Sequence, residues 1–221
     1  MPALTEHNRI FIARDILGDC LVTPVEIRSA VPGVAYDHDQ ISGCRDTMPS
    51  PDVLQWCAEN QYMLVAGPPK PLSLIDILHL WPDYFYSGPG ACKFDPDDDP
   101  VASDDTAQFG WIGMRMGAVP GSMGKSKSAQ CKLLDEVETV PNVAQALWAT
   151  IVLQKVRKFE LDLRIFVRTS SVNLDGNRVC IGGHGVRGQE RIHFRPYGDD
   201  VALGTLGLAA CLNRVVTTTI E

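Results

Sequence analysis

The segment from residue 164 to residue 188 restricts the possible folds most, because its pattern specifies a β-hairpin. Apolar side chains alternate with other side chains over residues 163–168, which is the period of a half-buried strand. Residues 173–177 read Asn-Leu-Asp-Gly-Asn and tolerate the left-handed backbone of a tight turn. Val179 and Ile181 then share one face of the returning strand. We therefore expect an antiparallel sheet in the C-terminal half.

The strongest helix signal precedes this hairpin, at residues 142–158. Apolar side chains cover most of the helix circumference: Ala144, Leu147, Trp148, Ile151, Val152 and Val156. An apolar surface this wide predicts a helix that neighbours bury on several sides. Basic side chains at its end, Lys155, Arg157 and Lys158, favour the negative end of the helix dipole. We expect this helix to pack on the hairpin.

Shorter elements are indicated by capping residues and apolar runs. Thr23-Pro24 and Ser50-Pro51 each place a capping side chain before a proline at the first helical position. Ser73 is the expected cap of a third helix, through Leu80. The predicted strands are residues 62–66, 109–116, 192–194 and one or more within 203–216, and residues 5–16 fit either a strand or a helix.

These elements predict the α+β class. A small helical or mixed N-terminal part, residues 1–90, packs on a mostly antiparallel β part, residues 91–221, which contains the central buried helix at 142–158. One continuous domain is the alternative, since 221 residues suffice for either arrangement.

Composition is that of an ordinary globular chain. The hydrophobic fraction is 45 %, and no apolar run reaches the roughly 18 residues of a membrane helix. Residues 1–15 contain charges where a secretion signal needs an apolar core. The seven cysteines are scattered without a CxxC pair, which favours reduced thiols over a disulfide scaffold. The expected location is cytoplasmic, with no membrane contact.

Charge is distributed unevenly along the chain. Residues 1–106 hold 6 basic and 17 acidic side chains, whereas residues 107–221 hold 14 basic and 10 acidic ones, so the net charge changes from −11 to +4. The overall charge of −7 argues against nucleic acid as a partner, because duplex binding needs clustered basic groups. The contrast between the halves suggests pairing between two copies of the chain as one possibility.

The best candidate site is a set of arginines beside a glycine-rich loop. Arg164, Arg168 and Arg178 are expected on one sheet face, since hairpin strands alternate their side chains. The predicted ligand-binding set adds the loop and its neighbours: Gly182, Gly183, His184 and Arg187. Guanidinium groups offer paired donors to carboxylate or phosphate. The alternative is a solvated face, or arginines that pair with the acidic segment at 95–105.

That acidic segment resembles a calcium loop only in part. Asp95, Asp97 and Asp99 match the first three ligand positions of an EF-hand loop. Pro100 then replaces the required glycine and Thr106 the required glutamate. A solvated acidic loop is the favoured interpretation, and no metal site is predicted.

Two further patterns are incomplete. Residues 121–126, Gly-Ser-Met-Gly-Lys-Ser, resemble a phosphate loop, but Val119 occupies the position of its first glycine. Cys180, His184 and His193 contain the residue types of a nucleophile and base, or of metal ligands, without a defined third partner. A buried structural Cys180 is favoured, and no cofactor is identified.

Several of these motifs together resemble a family of known proteins. The runs LVAGPPKPLSLIDIL, PGSMGKS, RTSSVNLDGNRVCIGG and LGLAACL are similar, in this order, to an uncharacterised family of bacterial proteins with an RTSSxxxDGxRVxxGG core. The family resemblance implies no established activity, and this chain has Cys211-Leu212 where that family has a basic residue. The late hairpin and LGL strand more distantly resemble C-type-lectin-like and sulfatase-modifying-factor-like domains.

The leading functional hypothesis is a non-catalytic module that binds an anionic small molecule or a protein partner through the arginine face and the glycine-rich loop. The first alternative is an enzyme acting on an anionic small molecule, with His184 as general base and Asp175 assisting. The second is a structural homo-oligomer.

Overall fold

The computed structural model describes residues 7–88, 99–158, 165–184 and 191–213. Helices and sheets both form there, which confirms the α+β class. The α-helices in these ranges are α1 (His7–Leu17), α2 (Pro24–Ala30), α3 (His38–Asp46), α4 (Pro51–Glu59), α5 (Leu74–Leu80), α6 (Pro100–Ser103), α7 (Lys127–Cys131) and α8 (Val143–Arg157). None of the helices in this part of the chain has the length and apolar character needed to cross a membrane.

The strands of the same ranges form three sheets. They are β1 (Leu21–Val22), β2 (Tyr62–Ala66), β3 (Leu72–Ser73), β4 (Thr106–Ala107), β5 (Trp111–Arg115), β6 (Glu138–Thr139), β7 (Phe166–Val172), β8 (Arg178–His184), β9 (Arg191–Tyr197), β10 (Leu206–Leu208) and β11 (Cys211–Leu212). The first sheet has the order β1-β2-β5-β11-β6, the second β10-β7-β8-β9, and the third pairs β3 with β4. Within the second sheet, β7, β8 and β9 are antiparallel neighbours, as the hairpin pattern predicts.

The predicted helix caps are present. Thr23 and Ser73 each accept a hydrogen bond from the backbone three residues on, and an acidic side chain at that position bonds back to the cap. Ser50 caps α4 in the same way without the return bond. The ambiguous residues near the start of the chain form helix α1. Helix α3 was not predicted, although Asp37 and Gln40 form a capping box that the sequence already displays.

Helix α8 is buried between the first and second sheets. On one side it faces the first sheet through residues such as Met63 and Val65, and on the other it faces Val179 and Ile181 of β8, all in one core cluster. Trp148 is 0 % exposed, and its indole Nε1 donates a hydrogen bond to the carbonyl oxygen of Ala66 at 2.9 Å. The prediction of a central buried helix at 142–158 is therefore confirmed.

The first sheet takes strands from both sides of residue 90. β1 and β2 lie in the first predicted part, whereas β5, β6 and β11 lie in the second. The face opposite α8 is covered by α1 and α4, which share a second core cluster with this sheet. Over the described residues the two predicted parts therefore share the first sheet.

A buried ion pair and a hydrogen bond connect three strands of this sheet on the side that faces α4. The Glu138 Oε1 atom on β6 accepts a hydrogen bond from the Tyr62 hydroxyl of β2 at 2.5 Å and lies 3.1 Å from Arg115 Nη2 of β5. The Arg115 guanidinium also lies over the Tyr62 ring, 5.1 Å from its centroid. Burial, followed by the bond to Glu138, raises the pKa of Tyr62, so its hydroxyl stays a proton donor.

Trp148→Phe should lower the free energy of unfolding by about 2–3 kcal/mol, because the smaller ring leaves a cavity and removes the donor to the buried Ala66 carbonyl. Urea denaturation followed by circular dichroism measures this change. Gln154→Ala, on the less buried part of the same helix, is the control and should cost less than about 1 kcal/mol. Equal losses in the two variants would contradict the central role of Trp148.

Candidate functional site

The hairpin register assigns the predicted arginines to the face of the second sheet that points away from α8. Val167 pairs with Ile181, and Arg168 with Cys180. Since Val179 and Ile181 face α8, the alternate positions face outward. We call this surface the outer face; its described members are Phe166, Arg168, Arg178, Cys180, Gly182, Arg191, His193, Arg195 and Tyr197. The prediction that Arg168 and Arg178 share one face is confirmed.

Arg168 does not offer its donors to solvent, which corrects its assignment to the ligand-binding set. It is 0 % exposed because the segment around residues 122–130 and the segment around residues 198–201 cover it. Its guanidinium donates to Gln130 Oε1 at 2.8 Å, to the Gly198 carbonyl at 3.2 Å and to the Val201 carbonyl. The cation is thus a buried structural group that holds helix α7 and the loop at 198–201 against the sheet.

Arg178 lies at the rim of the outer face and is largely engaged. Its Nε donates to Asp199 Oδ1 at 3.0 Å, and its Nη1 donates to the Ser170 carbonyl. Lys127 approaches the same Asp199 carboxylate, with Nζ 3.8 Å from Oδ2. Arg178, followed by Lys127, holds the pKa of Asp199 below its ordinary value despite the partial burial of that carboxylate. Among the described residues, the carboxylate partner of Arg178 is therefore Asp199.

The remaining predicted site residues lie either on β8 or outside the described residues. Arg164 and Arg187 lie outside the described residues, as does most of the glycine-rich loop. Gly182 is on the outer face, whereas Gly183 pairs with Ile192 and has inner-face parity. His184 ends β8, where its backbone pairs with Arg191.

An aromatic cluster occupies the centre of the outer face. The Phe166 ring lies directly over Gly182, where an added Cβ would come within 2.7 Å of ring atoms, so only glycine accommodates the ring there. Edge contacts join the Phe166 ring to His193, with centroids 6.0 Å apart, and to Tyr197, at 6.4 Å. His193 also meets the Tyr86 ring at 5.2 Å. The glycine therefore has a steric role in seating an aromatic platform.

Arg195 extends over this platform. Its guanidinium carbon lies 5.3 Å from the Phe166 ring centroid, and the residue is exposed. Within the described ranges its guanidinium forms no hydrogen bond and no ion pair with another side chain. Arg195 therefore differs from Arg168 and Arg178, since its stacked group retains donors for an external acceptor.

Cys180 does not have the environment of a nucleophile. It is 0 % exposed beneath the outer face, and burial raises the pKa of its thiol to about 12 despite the nearby Arg168 and Arg178. Nucleophilic cysteines need the thiolate near neutral pH. This environment accords with the favoured interpretation of a structural cysteine.

The predicted pairing of His184 with Asp175 does not form. Asp175 lies in the hairpin turn before β8, where Gly176 has a φ of 78°. His184 ends the same strand, and seven strand residues span about 20 Å. The two residues therefore lie near opposite ends of one extended strand, and the backbone does not bring Asp175 beside His184.

The acidic segment is described only from Asp99 onward. The Asp99 side chain caps the short helix α6, with Oδ1 3.3 Å from the Val101 nitrogen. Burial, followed by the charge of Asp104, raises the pKa of Asp105. Over the described residues, no three His, Cys, Asp or Glu side chains gather as a metal site would require.

The residues of this platform, Arg195, Phe166, Tyr197 and Tyr86, are not part of the ligand-binding set that the sequence predicts. The parity of Phe166 with Arg168 was available, because residues two apart in a strand share a face. Tyr86 had no comparable signal. It reaches the site because its backbone nitrogen bonds to the carbonyl of Ile192, more than 100 residues later in the chain.

Arg168→Met should lower the free energy of unfolding by at least about 3 kcal/mol, because the Gly198 and Val201 carbonyls lose buried donors. Arg178→Met is the matched variant, and it should cost about 1 kcal/mol or less, since Asp199 is exposed and remains hydrated. Chemical denaturation of both variants measures the difference. If Arg178→Met were the more destabilising, the structural role assigned to Arg168 would be wrong.

Asp105→Asn should make the protein more stable than wild type at pH 7. A raised pKa in the folded state means that folding disfavours the carboxylate, so the wild-type protein gains stability as pH falls through that pKa. The advantage of the variant should therefore shrink below pH 7 and vanish below the ordinary aspartate pKa of about 3.9. Urea denaturation across this pH range measures it, with the exposed Asp175→Asn as control. A constant difference at every pH would exclude the burial of Asp105 as the cause.

Comparisons with known proteins do not assign the site. No protein-family model, no curated protein and no solved structure matches the chain. The resemblance based on the RTSSxxxDGxRVxxGG core therefore stays a prediction, and the function has to be inferred from the geometry of the outer face.

Proposed function

We propose that this protein is a non-catalytic binding module whose contact surface is the outer face around Arg195. One observation carries the proposal. The exposed Arg195 guanidinium is stacked on the Phe166 ring without a hydrogen bond or ion pair to any other described residue. An arginine held in this way keeps its donors directed toward solvent while the ring restricts its movement.

The chemistry of the surface indicates the class of ligand. A guanidinium edge binds carboxylate or phosphate oxygens through two parallel hydrogen bonds. Beside it, the half-buried rings of Phe166 and Tyr197 provide apolar contact for a neighbouring planar or aliphatic group. The ligand is therefore an anionic group attached to an apolar or planar moiety, on a small molecule or on a protein partner.

The local charge supports an anionic ligand. Arg191 and Arg195 are both exposed on the outer face, two strand positions either side of His193. The acidic neighbour Asp199 is already paired with Arg178, so it competes little for the two exposed arginines. These two arginines make the local potential positive, although the whole chain carries a net charge of −7.

The environment of Cys180 and the position of Asp175 favour binding over the enzymatic alternative. Cys180 is a buried thiol with a raised pKa, and Asp175 lies far from His184 along β8. A cytoplasmic location is part of the proposal, supported by the free thiols of Cys20, Cys44, Cys57, Cys131 and Cys180. The homo-oligomer alternative stays a prediction from the charge asymmetry.

Titration of the ¹⁵N-labelled protein with phenyl phosphate should shift the amide resonances of β9 and of Phe166 in a saturable way. Phenyl phosphate combines an anion with a planar ring, so it should bind at least about threefold more tightly than inorganic phosphate, which lacks the ring contact. Arg195→Glu should abolish these shifts, because it replaces the stacked cation with an anion.

Arg28→Glu is the matched control, since it makes the same charge change at an exposed arginine of α2. This control should leave the titration unchanged. If both variants lost the resonance shifts equally, the shifts would depend only on the net charge of the protein. Saturable shifts confined to another surface would overturn the assignment of the outer face.

A further inference from the structure

Four sulfur-containing residues lie on or next to neighbouring strands of the first sheet, with the strand parity of the face that packs against α8. Met63 of β2 lies directly opposite Met114 of β5, and side chains opposite each other in an antiparallel pair have Cβ atoms about 5 Å apart. Met116 follows two residues after Met114, and Cys20 immediately precedes β1, the parallel neighbour of β2. The three-strand order β1-β2-β5 thus gathers residues that are far apart in the sequence.

One sulfur–sulfur contact of this cluster has the spacing of two ligands on one ion. Cys20 Sγ lies 3.7 Å from Met116 Sδ. Two sulfur atoms that each bind a metal ion at about 2.3 Å with a tetrahedral angle are about 3.8 Å apart. Both residues are partly buried, so the pair is shielded from bulk water while remaining reachable from the surface.

A cavity adjoins the three methionines, and Cys20 borders it only through its contact with Met116. Met63, Met114 and Met116 line one cavity of about 80 Å³, which Ala146 and Thr150 of α8 close from the opposite side. One water-sized sphere needs only about 10–15 Å³, so the cavity admits an ion without backbone movement. Methionine has three flexible side-chain torsions, and its thioether can therefore turn toward an ion that enters.

We propose that Cys20, Met63, Met114 and Met116 form a binding site for one Cu(I) ion. Thioether and thiolate sulfur atoms are soft ligands, and in proteins such a set selects Cu(I) over Mg²⁺, Ca²⁺ or Mn²⁺, which take oxygen ligands. Zn²⁺ is disfavoured because its sites combine several thiolate, imidazole or carboxylate ligands. Over the described residues, no three His, Cys, Asp or Glu side chains gather as such a site needs.

Charge neutrality supports the monovalent ion. Binding replaces the Cys20 thiol proton: the Cys20 thiol and Cu(I) form a thiolate–Cu(I) bond, and one proton leaves to solvent. The resulting pair carries no net charge, which lowers the cost of placing it on an apolar sheet face. Asp19 and Arg157 both act on the thiol, and Arg157 pairs with Asp19 at 3.7 Å and with Glu26 at 2.6 Å. Glu26 also pairs with Arg14, so two cations and two anions leave the local balance close to neutral.

Anaerobic titration with Cu(I), in competition with bathocuproine disulfonate, should give one tightly held ion per chain. Met116→Leu and Met114→Leu should each weaken binding by at least about tenfold, and Cys20→Ser by more, because each removes one sulfur ligand. Methionine-to-leucine exchange conserves volume, so these variants should fold like wild type. Circular dichroism of the metal-free proteins checks this, and X-ray absorption of the loaded wild type should show three or four sulfur neighbours at about 2.3 Å.

Two matched variants distinguish this site from general binding by thiols. Met123→Leu changes an exposed methionine, and Cys131→Ser changes another partly buried thiol, so both should bind Cu(I) like wild type. If Met116→Leu and Met114→Leu bound Cu(I) as tightly as wild type, the cluster would be core packing alone. If Cys131→Ser lost the Cu(I) ion and Cys20→Ser still bound it, the ion would lie at Cys131, and this result would also overturn the proposal.

Discussion

The burial of α8 on nearly every side is the constraint on which the other features depend. A helix end without water must have its free amides and carbonyls bonded by protein. The N-terminal amides of α8 are bonded by the Asn142 side chain, which accepts from Gln145, and by the Ser171 hydroxyl, which accepts from Val143 at 2.7 Å. Ser171 reaches the helix because it shares the strand parity of Val167, which pairs with the inner-face residue Ile181. The strand that completes the helix cap on one face therefore carries the candidate site on its other face.

The arrangement of two sheets around one helix also explains why apolar side chains lie on the inner faces of the sheets and polar side chains on the opposite faces. The inner faces are apolar because they form the core with α8, so polar side chains remain for the opposite sides. On the first sheet that opposite side is covered by α1 and α4, and Arg115 and Glu138 are buried there as a pair. On the second sheet it is covered in part by the segments that Arg168 holds, and Arg195 stays exposed beyond them. Coverage by other segments therefore decides which arginine can meet a ligand.

Local patterns predicted most of the elements, while the candidate site depends on distant contacts. The hairpin and the caps at Thr23 and Ser73 follow from short-range rules, since turn and cap residues act on their own neighbours. Strand parity likewise placed Arg168 and Arg178 on one face. It carried no information about the burial of Arg168, which requires Gln130 and the loop near Val201 to fold over it. The contact between Cys20 and Met116, which are 96 residues apart, likewise could not be predicted without the strand order.

The position of β11 has a consequence for the order in which the chain can fold. This two-residue strand lies between β5 and β6, and it pairs with both through Cys211. Ribosomes deliver β11 last among the strands of this sheet, so β5 and β6 have no common neighbour until more than 200 residues have been synthesised. Until then β5 presents an unpaired edge, the kind of surface that recruits other chains. A nascent chain of this protein therefore depends on holding that edge apart from other strands, and its first sheet closes only after the helix and hairpin have emerged.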